Sequence, residues 1–221
     1  MPLFFSTQPK MALKVDRIPV FKEQTATGAY YLPGDISGKR PGLIAINLRD
    51  MSALSSFTMK TLAYHEGIPG HHYQMAIASE KNKMPLFRRI LPFTAYTEGW
   101  AMYAELLARE MGVYKNDTFG LLGSLEQELF RAVRLVVDTG IHHKRWSRDV
   151  AIQYMSDHST STIETIISEV ERYFVMPGQA CSYKIGILHI LKLREKYRAA
   201  MGDRYSIKDF HNLILGQGRY H

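Results

Sequence analysis

The sequence predicts a mainly α fold with a small antiparallel β ribbon near its N-terminus. Two stretches and one composition carry that prediction. From Ser56 onward the apolar residues recur at helical spacing between caps and breakers. Before Ser56 the apolar residues come in short β-rich runs cut by Pro and Gly. The chain has 221 residues, 46% hydrophobic and 22% charged, an ordinary globular composition and enough length for one good-sized domain with a core.

In order, "LKVDRIPVF", "GAYYL" and "GLIAINL" read as two or three strands, and "YLPGDISGKRPG" between the last two is turn chemistry throughout. "SFTMKTLAYHE" then begins the helical part, with a Ser N-cap candidate and apolar Phe57, Leu62 and Ala63. Further helices are expected from about His71 to Glu80, from near Thr97 to Met111–Gly112, and from roughly Thr118 to Trp146. Ser147 can cap another, and "STIETIISEVERYF" opens with a capping box from Ser161 to Glu164. "MPG" breaks that helix. A new one runs from Gln179 to about Met201, where Gly202 stops it, and Ser206 caps a last helix ending at Gly216. There is no repeat and no linker, so residues 1–221 read as a single unit, β-rich over 1–55 and helical over 56–221.

Composition excludes some functions. One cysteine, Cys181, rules out an internal disulfide framework and a cysteine-rich zinc ribbon. A bound metal would need histidine and carboxylate. No apolar run is long enough to span a bilayer, and "MPLFFSTQPK" lacks a signal-peptide pattern. The net charge is +7, but the basic residues are scattered and no nucleic-acid-binding motif is present, so no nucleic-acid partner is expected.

The chemically dense stretch is "AYHEGIPGHHYQ", with three histidines and a glutamate in eight positions. On an unbroken helix His65 and His71 would be about 120° out of line, and His65 and His72 about 10 Å apart along the axis. Neither pair could share a zinc whose nitrogen ligands sit about 2.0–2.1 Å away. Gly67, Pro69 and Gly70, however, are residues that interrupt a helix. Remove two residues from "HEGIPGH" and the His-Glu-x-x-His spacing returns, so the stretch reads as that motif carrying a two-residue bulge. The spacing alone leaves a metal site and an inert loop both open.

"HEGIPGHHYQ", "TEGWAMYAE", "RLVVDTGIH" and "PGQACSYKIG", preceded by "AYYLPGD…RPGLIAINL", together resemble the bacterial domain of unknown function 885 family over nearly the whole chain. Members of that family are usually much longer, with a large helical N-terminal part and often a lipoprotein or secretory signal. The resemblance therefore implies a C-terminal catalytic half, a periplasmic or lipoprotein setting, and a missing helical partner segment. The apolar face that segment would cover should be exposed, or hidden by homodimerisation. The family is similar to helical zinc peptidases such as thimet oligopeptidase and angiotensin-converting enzyme, which implies a zinc-dependent metallopeptidase that hydrolyses peptide bonds.

Residue by residue, the resemblance places His65 and His71 as metal ligands, Glu66 as general base and Glu98 as third ligand, with a zinc ion as cofactor and a peptide as substrate. Glu105, two turns along the same helix face, is the alternative ligand. His72 replaces His71 if the bulge is placed differently, and otherwise sits behind the ligands. Tyr183 matches a tyrosine that steadies the oxyanion in those peptidases. Where they carry a histidine ten residues earlier, this chain has Tyr173, with Arg172 beside it as a donor or a grip on a substrate carboxylate. Arg134, Asp138 and His142 form one polar stripe on an otherwise apolar helix. A helix that apolar should run through the core with its polar stripe on a wet cavity, where Asp138 would orient a ligand histidine and His142 would face substrate. Two other readings remain: a non-catalytic helical scaffold fragment, and a zinc hydrolase of other amides or esters.

Overall fold

The computed structural model describes residues 1–24, 26, 28–35, 39–49, 51, 55–81, 85–91 and 93–216. Part of the expected turn, residues 36–38, and the final residues 217–221 lie outside that set. Three strands, β1 (Leu13–Arg17), β2 (Ala29–Leu32) and β3 (Gly42–Ile46), form one sheet in the order β1-β3-β2. The β2–β3 pair is antiparallel as expected, but β1 pairs with β3 in parallel, so the sheet is mixed. The chain reverses twice between β1 and β3, which restores its direction. The central place goes to β3, which has the most buried residues of the three strands. On the β1 edge, Lys14, Val15, Asp16 and Arg17 are exposed, and charges of this kind blunt strand addition.

The helices follow: α1 (Ser56–Glu66), α2 (His71–Ser79), α3 (Leu86–Ile90), α4 (Thr94–Glu110), α5 (Thr118–His142), α6 (Arg148–His158), α7 (Ile163–Val175), α8 (Gln179–Met201) and α9 (Ile207–Gly216). Several boundaries differ from expectation for local reasons. The residue preceding α1 is Ser55, whose hydroxyl makes no cap bond. One residue past the expected capping box, Thr162 caps α7 by accepting from the Thr165 amide. The end of α5 comes before Trp146, because Arg145 takes a positive φ of 57°. The Trp146 amide then returns to the Gly140 carbonyl at 3.0 Å, which folds the chain back onto the last turn of the helix. Ser147 and Ser206 accept from the Val150 and Asp209 amides as predicted. The short α3 has no counterpart in the sequence reading.

Two apolar clusters hold the helices. In one, Trp100, Tyr103 and Leu107 of α4 pack on Ile187 and Ile190 of α8, Tyr73 of α2, Phe210 of α9 and Phe5 of the N-terminal segment. In the other, Val133, Val137 and Ile141 of α5 meet Met155 of α6, Ile166 and Val170 of α7 and Ala180 of α8. The α4–α8 crossing is unusually close. A Cβ on Gly99 would lie 2.4 Å from the Gly186 carbonyl carbon, and one on Gly186 would lie 2.0 Å from the Ala95 carbonyl oxygen. Only one face of α5 enters the core: Phe119, Leu122, Leu125, Leu129 and Val136 are exposed, so this helix does not run through the interior as its composition predicts.

Candidate functional site

α1, α4, α5, α7, α8 and strand β2 surround a cleft of about 630 Å³. His65, Glu66 and His71, which flank the interruption of His-Glu-x-x-His, line it. α1 stops at Glu66, four residues lie outside any helix, and α2 restarts at His71. The Ile68–Pro69 peptide is cis. Gly70 passes so close to the end of α1 that a Cβ there would lie 1.9 Å from the His65 carbonyl oxygen. The indole Nε1 of Trp100 donates to the Pro69 carbonyl at 2.8 Å, and the Tyr73 amide reaches back to Gly67 at 3.3 Å. The expected bulge is thus a full break between two helices, tied down by α4.

The break turns His71 back toward His65. Their rings lie 4.8 Å apart, nearly perpendicular at 84°. Glu98 comes to meet them from α4, its Oε2 standing 3.6 Å from His65 Nε2 and 3.4 Å from His71 Nε2. One ligand atom from each residue falls within 4.8 Å of the others. Because α4 starts at Thr94, Glu98 lies one turn inside the helix, away from the N-terminal position where the dipole alone would explain a carboxylate. Oε2 of Glu98 is buried and accepts no hydrogen bond, as is Oε2 of the neighbouring Glu66.

Glu105 is behind the trio rather than in it. Its Oε1 accepts from His65 Nδ1 at 2.7 Å and lies 3.4 Å from Arg131 Nη2. That contact commits the Nδ1 proton and leaves Nε2 facing Glu98. Burial works against a charged His65, but the hydrogen bond to Glu105 and the nearby Glu98 carboxylate outweigh it and carry its pKa up to about 9. For Glu98, burial raises the pKa, and the His65 and His71 contacts overcome that and hold it far below the usual carboxylate range. The two shifts are the two sides of one contact: the carboxylates favour a charged His65, and the imidazoles favour a charged Glu98.

His72 does not join the trio. Its Nε2 donates to the Met11 carbonyl at 3.2 Å and its Nδ1 accepts from the Tyr31 hydroxyl at 3.0 Å, so both nitrogens are spent on the N-terminal segment and the sheet. Two further expectations fail. Asp138 accepts from the Gly178 amide at 3.1 Å with both oxygens and so holds the start of α8, not a histidine. His142 is exposed and bonds the Tyr173 carbonyl at 2.9 Å, outside the cleft. Of the stripe on α5, Arg134 lines the cleft, whereas Asp138 and His142, one and two turns further on, meet the start of α8 and the α7 backbone.

Tyr183 and Arg172 both line the cleft. The Tyr183 ring stacks toward His65 at 6.4 Å and 16°. Its hydroxyl accepts from Gln179 Nε2 at 3.3 Å, and burial pushes its pKa up, so it keeps its proton. Arg172 binds Glu169 with two nitrogens, at 3.2 and 2.7 Å, and Gln179 Oε1 at 2.9 Å. Arg131, Glu169 and Gln179 were not recognised in the sequence. The i,i+3 pair Glu169–Arg172 was a readable signal, whereas the meeting of α5, α7 and α8 that gives it meaning is tertiary.

The profile of the family described as bacterial protein of unknown function (DUF885) matches residues 1–220. A crystal structure described as "the putative lipoprotein from Colwellia psychrerythraea" is similar at 48% identity and a TM-score of 0.96, over 99% of this chain and 37% of that one. The chain thus spans little more than a third of that protein's length. No curated protein matches it.

Proposed function

We propose, for a chain that belongs to the DUF885 family of bacterial proteins of unknown function, that the cleft is the active site of a zinc-dependent metallopeptidase-like hydrolase. The observation that carries this reading is the convergence of His65, His71 and Glu98 with an unpartnered Glu66 carboxylate beside them. The donor set fits zinc by type: two imidazoles and a carboxylate, the composition of three-ligand catalytic sites. Two of its three spacings, those to Glu98, fit by size as well. Ligands about 2.0–2.2 Å from a tetrahedral ion stand roughly 3.3–3.6 Å from each other, and the two contacts to Glu98 are 3.6 and 3.4 Å. The orphaned, buried Glu98 Oε2 is what an ion would satisfy.

When bound, zinc supplies Lewis-acid polarisation of a carbonyl and of water. The chain supplies the rest. Glu66, on the residue next to His65, takes the proton of the attacking water and passes it to the leaving amine. Tyr183, whose hydroxyl proton is not committed to Gln179, donates to the oxygen that becomes negative as the carbonyl turns tetrahedral. Glu105 fixes the His65 tautomer and orientation. The similarity to thimet oligopeptidase and angiotensin-converting enzyme belongs to this proposal.

The test is Glu66→Gln with zinc content and hydrolysis of a mixed peptide library measured together. The amide keeps the shape but not the basicity, so zinc uptake should stay near native while the rate falls about 10²–10⁴-fold. A Glu66→Gln protein that still cleaves at the native rate would remove the base from this scheme.

A further inference from the structure

One wall of the cleft holds more positive than negative charge. Arg134 is 4% exposed, lines the cleft, and is closed in by aromatic rings: Tyr183 at 4.1 Å, Tyr173 at 5.5 Å and Phe130 at 5.6 Å from its guanidinium carbon. Among the described residues its carboxylate partner is Glu169, at 3.7 Å from Nε, and that nitrogen makes no hydrogen bond. Glu169 is already engaged. It accepts two bonds from Arg172 and one from the Tyr173 hydroxyl at 2.8 Å. The two guanidinium groups also share a single neutral acceptor, Gln179 Oε1, at 3.3 and 2.9 Å. Two cations thus divide one carboxylate in a buried wall. A buried cation short of a counter-charge is costly unless a ligand completes it, and a planar guanidinium pairs best with a carboxylate, two bonds at a time.

We propose that Arg134 and Arg172 form a subsite that holds a carboxylate of the substrate. The inference rests on the hydrolase reading above and specifies its substrate class: peptides with a free C-terminal carboxylate, or an acidic side chain, close to the cleaved bond. Tyr183 sets the distance. It stands 6.4 Å from the His65 ring on one side and 4.1 Å from the Arg134 guanidinium on the other. Those two spacings place the guanidinium within about 11 Å of the ligand histidine, a span an extended chain covers in about three residues. The carboxylate therefore belongs within about three residues of the scissile bond, on the side facing α7 and α8.

The test measures binding without turnover. Three probes are titrated into the metal-free full chain by calorimetry: acetyl-trialanine as the free acid, the same peptide as its amide, and acetyl-Ala-Ala-Asp amide. Without metal, a preference for acid cannot come from coordination. The native chain should bind the free acid at least tenfold more tightly than the amide. The aspartyl probe separates the sources: if it matches the free acid the subsite takes any nearby carboxylate, and if it matches the amide the subsite reads the C-terminus. Arg172→Gln, at a half-buried position, should cut the acid preference to within about threefold, and Arg134→Gln should do the same if it folds. Equal affinity for free acid and amide, no binding of any probe at millimolar concentration, or an acid preference unchanged in Arg172→Gln would each overturn the subsite. Zinc uptake, assayed separately, reports on the hydrolase reading. A chain that takes zinc but ignores the carboxylate loses only this inference, and one that prefers the acid but takes no zinc loses the other.

Discussion

Gly99→Ala adds one methyl group where α4 and α8 cross, and the structure says what that methyl meets. Its position lies 2.4 Å from the Gly186 carbonyl carbon, 2.5 Å from Gly186 Cα and 2.9 Å from the Ile187 nitrogen. All three are backbone atoms of a helix interior and cannot rotate aside. Carbon atoms rest about 3.5–4.0 Å apart, so the two helices must separate by about 1 Å. The first apolar cluster is built on this crossing, through Trp100, Tyr103, Ile187 and Ile190. Overpacking of this kind costs about 1–3 kcal/mol, which lowers the melting temperature by roughly 2–12 °C for a chain of this size. Glu98 is on one of the two helices and Tyr183 on the other, so zinc affinity should weaken as well. The assay is thermal unfolding followed by a zinc titration, with Gly28→Ala as control, since an added Cβ there meets nothing within 4 Å. A Gly99→Ala protein that melts within a degree of the native one would refute the argument that this crossing has no room.

Two further outcomes are expected. His211 is fully buried, donating from Nδ1 to the Phe4 carbonyl at 2.8 Å and accepting from the Tyr103 hydroxyl at 2.9 Å, and burial lowers its pKa to about 4. The unfolded chain takes up this proton near pH 6.5 and the folded chain only near pH 4, so the stabilisation is complete above about pH 6.5. It is lost as the pH falls through that window, by up to ~3 kcal/mol. Urea unfolding at pH 7 and pH 4.5 checks this, and a native slope with pH no steeper than that of His211→Gln would count against it. Glu105→Gln keeps an acceptor for His65 Nδ1 but removes the charge, and should weaken zinc binding about 10–100-fold. Unchanged affinity would mean that Glu105 is only packing.

Most helices were readable because their signals are local. Ser147, Ser206, Gly202 and the Met176–Pro177–Gly178 break mark ends that the backbone respects. The β1–β3 pairing was not readable, since strand direction depends on where the chain goes between strands, and so was the solvent-facing side of α5, whose exposed leucines look like core residues in sequence. At the site, Gly67, Pro69 and Gly70 announced the interruption that brings His65 and His71 together, although not that four residues would leave the helix. The choice between His71 and His72 was undecidable from spacing. In the structure Tyr31 and the Met11 carbonyl, from the sheet and the N-terminal segment, occupy both nitrogens of His72, while His71 faces Glu98. Asp138 and His142 were misread because their positions on α5 say nothing about α8 and the end of α7, which claim them.

The most direct test of the central claim is the zinc content of the purified chain after zinc loading and removal of excess metal, for the native protein and for four single variants. The account predicts about one zinc per chain in the native protein and in His72→Ala, and loss of bound zinc in His65→Ala, His71→Ala and Glu98→Ala. Zinc retained by His71→Ala and lost from His72→Ala, or no zinc in the native chain, would contradict it.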